Sequence, residues 1–248
     1  MKILLPPSET KRAGGTGSPL DLAALSLPAL LAERRAVVRA LIDLAADEDA
    51  SRRVLKLSAA QVSEVAHNRE LLSSATMPAA DRYTGVLYDA LDAATLPSAG
   101  RRWLASHVWI HSAPFGPVGA LDRIPAYRLA AGAALPGVRA LRRHWAEATS
   151  AAIAAEAPSF ILDLRSEAYV SLGPVPPSVS SAYVRVVTET GRALNHFNKR
   201  SKGLLVRTLA EQRPRVRSVR ALRSWAESQG IVLRDSTDEG VLELVVDD

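Results

Sequence analysis

The sequence predicts a mixed α/β (α+β) fold in which a mixed β-sheet is flanked by helices. Short apolar runs at residues 2–5, 107–111 and 160–164 are typical of buried strands. The stretch 29–46 repeats apolar residues at helical spacing, and a second long helix is predicted over 138–156. Because strand and helix signals alternate, we expect the helices to pack against one sheet.

In the first half of the chain, proline and polar residues mark where elements begin and end. The first strand stops at Pro6 and Pro7, which supply no backbone donor to a sheet. Pro28 suits the first turn of the first helix. Ser58 and Gln61 have the spacing of a capping box and predict a helix that runs to about residue 72.

The second half has equally local signals. Residues 86–94 repeat apolar side chains at helical spacing, and residues 182–188 alternate as a strand does. Two apolar runs, 231–234 and 241–246, flank a polar turn and predict a C-terminal β-hairpin. The other predicted helices lie at 101–105, 201–212 and 219–229.

Composition indicates an ordinary globular protein. The chain has 248 residues, of which 48% are apolar and 23% charged, and it has no cysteine. No apolar run is long enough for a membrane span, and no signal peptide is visible. We therefore expect one domain over residues 1–248, a cytoplasmic location and no membrane partner.

Positive charge is concentrated in one segment. Residues 192–223 hold ten Lys and Arg against Glu211 alone, whereas residues 224–248 hold seven acids and one Arg. A patch of this kind is typical of proteins that bind phosphate-bearing partners. The alternative is a solvated helix face that pairs with the acidic tail.

Several common sites are absent from the sequence. There is no Walker A phosphate loop, no GxGxxG after a strand and no GxSxG nucleophile elbow. His107 and His111 lie four residues apart without an HExxH context, which favours a structural role. We therefore expect no metal site and no cofactor.

Polar clusters follow three of the predicted strands. Ligand clefts lie beyond the carboxyl ends of parallel strands, so three such loops would converge at one edge of the sheet. Each cluster alone is weak evidence, because loops are polar in any case. The clusters are residues 8–11; residues 112–116 with Asp122, Tyr127 and Arg128; and Asp163, Ser166, Glu167 and Tyr169.

A fourth cluster, residues 198–203, opens a predicted helix and contains Lys199, Arg200 and Lys202, with Arg207 one turn further on. Cations are unfavourable beside the free N–H groups of a helix start unless an anion joins them. This local conflict favours a phosphate or carboxylate ligand over a role in solubility alone.

Six segments taken together resemble the YaaA family of peroxide-stress proteins. In order they read LLPPSETK, YTG, HSAPFGPVGALDRIPAYRL, HW, LDLRSEAY and FNKRSKGLLVR. The third follows the family's serine-to-leucine pattern without a gap. By position, the resemblance implies substrate- or anion-binding residues at Ser8, Lys11, Tyr83, Ser112, Tyr127, Arg128, Ser166 and Tyr169.

The resemblance also implies a function. Family members are cytosolic proteins that bind DNA through a positive cleft and a helix–hairpin–helix element, and that limit free iron and oxidative DNA damage under peroxide stress. The better candidate for the hairpin is residues 96–102, which include Gly100, Arg101 and Arg102, and the other is residues 135–139.

The first functional hypothesis is therefore a DNA-binding stress protein. Its contacts would hold the backbone of duplex or distorted DNA without reading a sequence, since few aromatic residues accompany the basic segment. The candidate DNA-binding residues are Lys199, Arg200, Lys202, Arg207, Gly100, Arg101 and Arg102.

The second hypothesis is an enzyme of the glycosylase or lyase type that acts on a nucleic acid or a nucleotide-like substrate. A lysine in a partly enclosed loop can act as a base or as a Schiff-base nucleophile. The alternative for Lys11 is an ordinary surface lysine after a turn. A third hypothesis, direct iron binding, is disfavoured because no His, Glu and Asp residues have the spacing of metal ligands. The candidate catalytic residues are Lys11, Ser8, Asp122 and Asp163.

Overall fold

The computed structural model describes residues 1–190 and 196–246, with side chains throughout except at His196 and Phe197. The strands are β1 (Lys2–Leu5), β2 (Met77–Pro78), β3 (Val108–Ser112), β4 (Gly116–Gly119), β5 (Arg123–Ile124), β6 (Ile161–Asp163), β7 (Ser181–Thr188), β8 (Leu233–Asp235) and β9 (Val241–Val246). The helices are α1 (Leu31–Ala45), α2 (Glu48–Leu55), α3 (Val65–Arg69), α4 (Ala79–Arg82), α5 (Val86–Leu91), α6 (Ser98–His107), α7 (Leu141–Glu156), α8 (Glu167–Val170), α9 (His196–Gln212) and α10 (Val219–Ser228).

Seven strands form one mixed sheet in the order β4-β3-β1-β6-β7-β9-β8. The five inner strands are parallel, and β4 and β8 pair antiparallel at the two edges. Ile3 of β1 lies opposite Val108 of β3 and Leu162 of β6, and all three are buried. The prediction of a mixed sheet flanked by helices is confirmed, and its central strands are continuously apolar because they are buried on both faces.

The chain changes direction at the centre of this sheet. From β1 it passes to β3 on one side, and after β4 it returns to β6 on the other side. In open α/β sheets, the crevice beyond the carboxyl ends of two such strands is the usual place for a ligand. The carboxyl edge of β1 and β6 is therefore where a site is expected.

Some element boundaries differ from those predicted. Residues 58–72 form a 3-10 turn, Ala59–Glu64, and the short α3 in place of one continuous helix. His107 ends α6 and does not begin β3, because its ring stacks on Trp103 at 4.3 Å and Nδ1 contacts the Trp103 carbonyl at 2.9 Å. Helix α9 begins at His196, five residues before its predicted start.

Helix α9 is held close to α5 by a glycine. A Cβ added at Gly203 would collide with the carbonyl oxygen of Leu87 and lie 2.9 Å from the Ala90 Cβ. This close approach places the first turns of α9, with Lys199 and Lys202, beside the carboxyl edge of the sheet. Among the described residues, no helix has both the length and the apolar character that crossing a membrane requires.

Candidate functional site

The loop after β1 carries a lysine that is turned back onto its own backbone. The Lys11 ammonium donates to the carbonyl oxygens of Ser8 at 2.9 Å and Glu9 at 3.2 Å. Gly85, which precedes α5 and lies beside the Ser8 hydroxyl, has φ of +93°, a conformation that favours glycine. The lysine is thus positioned by the fold and does not extend freely into solvent.

Two tyrosines enclose Lys11. Its Nζ lies 4.1 Å from the ring centroid of Tyr127 and 5.6 Å from that of Tyr83, which are cation–π distances. The two phenol oxygens are 2.7 Å apart, and the Ser112 hydroxyl lies beside both of them. Burial raises the pKa of both phenols well above the ordinary value, so they remain protonated hydrogen-bond donors.

Burial lowers the pKa of Lys11 from 10.5 to about 7, with Glu9 opposing the shift and Arg128 adding to it. The Arg128 guanidinium lies 3.4 Å from the Glu9 carboxylate and 3.3 Å from that of Glu64. Both carboxylates are therefore paired with Arg128, but burial is the main cause of the lowered Lys11 pKa, which lies near neutrality. A neutral lysine amine is a nucleophile and a base.

A separate cleft of about 370 Å³ lies beyond the ends of β1 and β6. Lys202 is only 4% exposed and lines this cleft, with its Nζ 5.4 Å from the Tyr183 ring centroid. Burial lowers its pKa from 10.5 to about 8, and Asp163 opposes the shift. The lining residues are Pro6, Leu87, Leu164, Ser166, Glu167, Ala168, Tyr183, Asn198, Lys199 and Lys202.

Sequence reasoning missed a buried charge network beneath this cleft. Arg165 is fully buried and forms a bidentate pair with Asp163, at 2.9 and 2.6 Å, and donates to the Gly173 carbonyl at 2.8 Å. It also donates to His111 Nδ1 at 2.9 Å. Burial lowers the pKa of His111 well below its ordinary value, so this ring is neutral with its proton on Nε2. Asp163 is therefore occupied as a structural partner of Arg165.

Asp122 is not brought to Lys11. Its carboxylate accepts from the backbone of Ser26 at 2.6 Å and of Gly119 at 2.8 Å, and so stabilises the turn after β4. Because β4 runs antiparallel to β3, this turn lies at the amino end of β3, where Ala120 N–H donates to the Val108 carbonyl. Lys11 follows the carboxyl end of β1, at the opposite edge of the sheet.

The other predicted residues divide between the two groups. Tyr169 is buried near Tyr127, and its ring centroid lies 6.1 Å from that of His111. Ser166 lies at the start of α8, on the wall of the Lys202 cleft. The structure thus places five predicted residues around Lys11: Ser8, Tyr83, Ser112, Tyr127 and Arg128. It places Ser166 and Lys199 with Lys202 in the second cleft.

A helix–hairpin–helix element is not confirmed. Gly100 lies inside α6, where an added Cβ would be 3.1 Å from the Ala210 carbonyl oxygen, and it serves the packing of α6 on α9. Arg101 is paired with Asp81 at 3.0 and 2.7 Å, whereas Arg102 is exposed. The second candidate, residues 135–139, is a loop that precedes α7.

The basic segment contains both engaged and exposed side chains. Arg207 donates to the carbonyl oxygens of Leu91 and Asp92 at 3.1 Å and pairs with Glu211 at 2.9 Å, so it holds α9 onto the end of α5. Arg223 pairs with Asp235 of the acidic segment. Arg192 lies outside the described residues. Six cations are exposed and have no carboxylate partner among the described residues: Lys199, Arg200, Arg213, Arg215, Arg217 and Arg220.

No metal-binding cluster of three or more His, Asp or Glu occurs in the part of the chain that the structure describes. Lysines, hydroxyl groups and aromatic rings lie at the carboxyl edge of the sheet. The class defined by the fold is an α/β protein with a cleft at the carboxyl ends of its parallel strands.

The chain belongs to the YaaA family of peroxide stress proteins, because the family model of that description matches residues 1–234. A UPF0246 protein of Streptomyces coelicolor is 46% identical to it over 215 residues, which cover 84% of this chain and 82% of the relative. A UPF0246 protein of Corynebacterium glutamicum is 40% identical over 252 residues, which cover 99% of this chain and 100% of the relative.

Proposed function

We propose that this protein is a cytoplasmic peroxide-stress protein that binds the DNA backbone and limits iron-driven oxidative damage to the DNA. The family membership supports the role in peroxide stress. The observation that carries the DNA proposal is the set of exposed cations in and after α9 that no described carboxylate neutralises. Unpaired surface cations on one segment favour a polyanionic partner.

The same residues favour binding by charge without sequence readout. Lys199 and Arg200 lie at the start of α9, and Arg213, Arg215 and Arg217 lie in the stretch between α9 and α10. Arginine and lysine side chains on irregular backbone can follow phosphates but carry no fixed pattern for base edges. We therefore expect affinity for duplex or distorted DNA that falls steeply with salt.

The test is fluorescence anisotropy with a labelled duplex over a series of salt concentrations. A variant with Lys199, Arg200, Arg213 and Arg217 replaced by Ala should bind more weakly. The slope of log affinity against log salt concentration should become less steep by roughly 0.9 for each DNA phosphate that the variant no longer neutralises. The matched control replaces four exposed arginines of α1 and α2, Arg35, Arg39, Arg52 and Arg53, and removes the same charge.

If both variants lose affinity equally, or neither loses it, the proposed DNA surface is wrong. The protective role has its own readout, which is strand breakage in a plasmid exposed to ferrous iron and hydrogen peroxide. The wild-type protein should reduce breakage, and the α9 variant should reduce it less than the α1–α2 control does.

A second candidate function is an enzyme that acts on a nucleic acid or nucleotide-like substrate, with Lys11 as its nucleophile. The observation that favours it is the tyrosine-enclosed Lys11, whose pKa is lowered to about 7. A neutral amine adds to an aldehyde and, with loss of water, gives an imine. The candidate catalytic residues are then Lys11 and Ser8, since Asp122 lies at the other edge of the sheet and Asp163 is paired with Arg165.

Borohydride trapping tests this candidate, because borohydride reduces an imine to a stable secondary amine. DNA that contains an abasic site supplies the aldehyde. Wild-type protein should give a covalent adduct located at Lys11 by mass spectrometry, and Lys11→Arg should give none. An adduct that survives in Lys11→Arg, or no adduct with wild type, excludes Lys11 as the nucleophile.

A further inference from the structure

Lys202 is almost completely buried, and no described residue supplies a partner for its charge. The residue is 4% exposed, and none of the described residues forms a hydrogen bond or an ion pair with its Nζ. The charged group that acts on its pKa is Asp163, and both oxygens of that carboxylate accept from Arg165. A buried ammonium normally requires a partner, because desolvation of an unpaired charge is costly.

The polar groups that line the cleft with Lys202 are one further lysine, three groups that can donate hydrogen bonds (Ser166, Tyr183 and Asn198) and one exposed carboxylate, Glu167. Lys199 lies one turn before it and Asn198 four residues before it, so all three lie on one face of α9. The Ser166 hydroxyl, across the cleft, makes no hydrogen bond with a described residue. Two lysines on one helix face repel each other, and this repulsion is relieved when an anion lies between them.

The position in α9 adds to this preference. Asn198 and Lys199 are the third and fourth residues of this seventeen-residue helix, where free N–H groups and the helix dipole favour negative charge, whereas Lys202 is the seventh. A cation such as Lys199 is therefore less favourable in the first turn than an anion would be. The buried Lys202 is the independent observation, because it faces the same cleft without a partner.

We propose that this cleft binds a single terminal phosphoryl group, carried either by a free nucleotide or by the end of a nucleic-acid strand. Two ammonium groups match the double negative charge of a terminal phosphate better than the single charge of a phosphodiester. The apolar wall of Pro6, Leu87 and Leu164, with the Tyr183 ring, suits the sugar and base. A volume of about 370 Å³ fits a small molecule. A cleft of this volume does not admit a duplex, and Lys199 is the one described residue that it shares with the exposed DNA surface.

Isothermal titration calorimetry with four probes tests the proposal. The probes are deoxyadenosine monophosphate, deoxyadenosine, a single-stranded oligonucleotide with a terminal phosphate and the same strand with a terminal hydroxyl. At least one phosphorylated probe should bind tenfold or more tightly than its unphosphorylated partner. A preference for the mononucleotide identifies a free nucleotide, and a preference confined to the strands identifies a strand end.

Variants assign the binding to the cleft. Lys202→Met should weaken the phosphorylated probe by roughly ten- to a hundredfold, the range expected for loss of a hydrogen bond to a charged group. Lys202→Arg should retain most of the affinity, and Lys56→Met, at an exposed lysine after α2, should change nothing. Thermal unfolding shows whether each variant is folded.

Equal binding of phosphorylated and unphosphorylated probes by wild type would overturn the proposal, whatever the variants do. So would an unchanged affinity in a folded Lys202→Met variant. Equal weakening of both strands by Lys202→Met would place a backbone phosphodiester in the cleft and would also contradict it. Although Lys199 belongs to both surfaces, these variants leave it unchanged and replace Lys202, which the duplex test does not alter, so the two proposals can fail separately.

Discussion

Arg165 and Lys202 are two cations buried beside the same strand, β6, yet their surroundings differ completely. Arg165 is fully buried and donates to both oxygens of Asp163, to the Gly173 carbonyl and to His111. Lys202 is 4% exposed and lines a cleft, with its Nζ 5.4 Å from the centroid of the Tyr183 ring. The protein supplies partners for the Arg165 charge, whereas no described residue supplies a partner for the Lys202 charge.

This difference separates a structural role from a binding role. A buried charge that the fold satisfies stabilises one arrangement of the chain, and its removal leaves its partner buried and unpaired. A buried charge that the fold does not satisfy destabilises the empty protein, and such strain is typical of functional sites. Lys11 is intermediate between the two, since its ammonium donates to two carbonyl oxygens and contacts aromatic rings but reaches no carboxylate among the described residues.

The largest expected effect is that of Arg165→Met. It leaves the Asp163 carboxylate buried without its bidentate partner, so we expect a loss of about 3–5 kcal/mol in the free energy of unfolding. Urea denaturation measures it. The control is Arg185→Met, at the exposed pair with Asp238, which should cost less than about 1 kcal/mol. Equal losses of unfolding free energy in the two variants would contradict the prediction that the buried pair matters more to stability than the exposed pair.

The next effect is a pH dependence from Lys202. Its folded pKa, about 8, lies below the ordinary 10.5, so above pH 8 the unfolded chain holds a proton that the folded protein has released. Stability therefore rises with pH through this window. Relative to Lys202→Met, wild type should gain on the order of 2 kcal/mol between pH 8 and pH 10.5. At pH 7 the variant should be the more stable protein, and parallel stability curves would contradict the account.

The smallest effect concerns the tyrosine pair around Lys11. Tyr83→Phe removes the 2.7 Å hydrogen bond to Tyr127 but leaves the Ser112 hydroxyl beside the remaining phenol. We expect a loss of about 1 kcal/mol in the free energy of unfolding, measured by urea denaturation. A double-mutant cycle with Tyr127→Phe isolates the pair, and additive losses would show that the two hydroxyls do not interact.

The sequence allowed the central sheet, and much of the set of polar loops at its carboxyl edge, to be predicted. Apolar runs identified β1, β3 and β6, and since these strands are parallel their polar loops lie at one edge. The pattern that contains Tyr127 and Arg128 led to residues that surround Lys11. Such predictions succeed where a local pattern determines both the strand and the loop that leaves it.

What the sequence could not show is which charges are buried and which are paired. In the sequence, Asp122 and Asp163 are both candidate site carboxylates, yet Asp122 stabilises a turn at the amino edge and Asp163, at the end of β6, pairs with Arg165. Gly100 resembles a hairpin glycine in the sequence but lies at a contact between two helices. These assignments depend on partners distant in the chain, which local composition does not encode.

The most direct test of the account is a pH titration of Lys11 and Lys202, two lysines without a carboxylate partner among the described residues, followed by NMR. The chain has five lysines, Lys2, Lys11, Lys56, Lys199 and Lys202, so labelled lysine gives a simple spectrum that single substitutions assign. We predict that Lys11 titrates near 7 and Lys202 near 8, and that deoxyadenosine monophosphate raises the pKa of Lys202. Titration of all five lysines near 10.5, with no change on adding the nucleotide, would contradict the account.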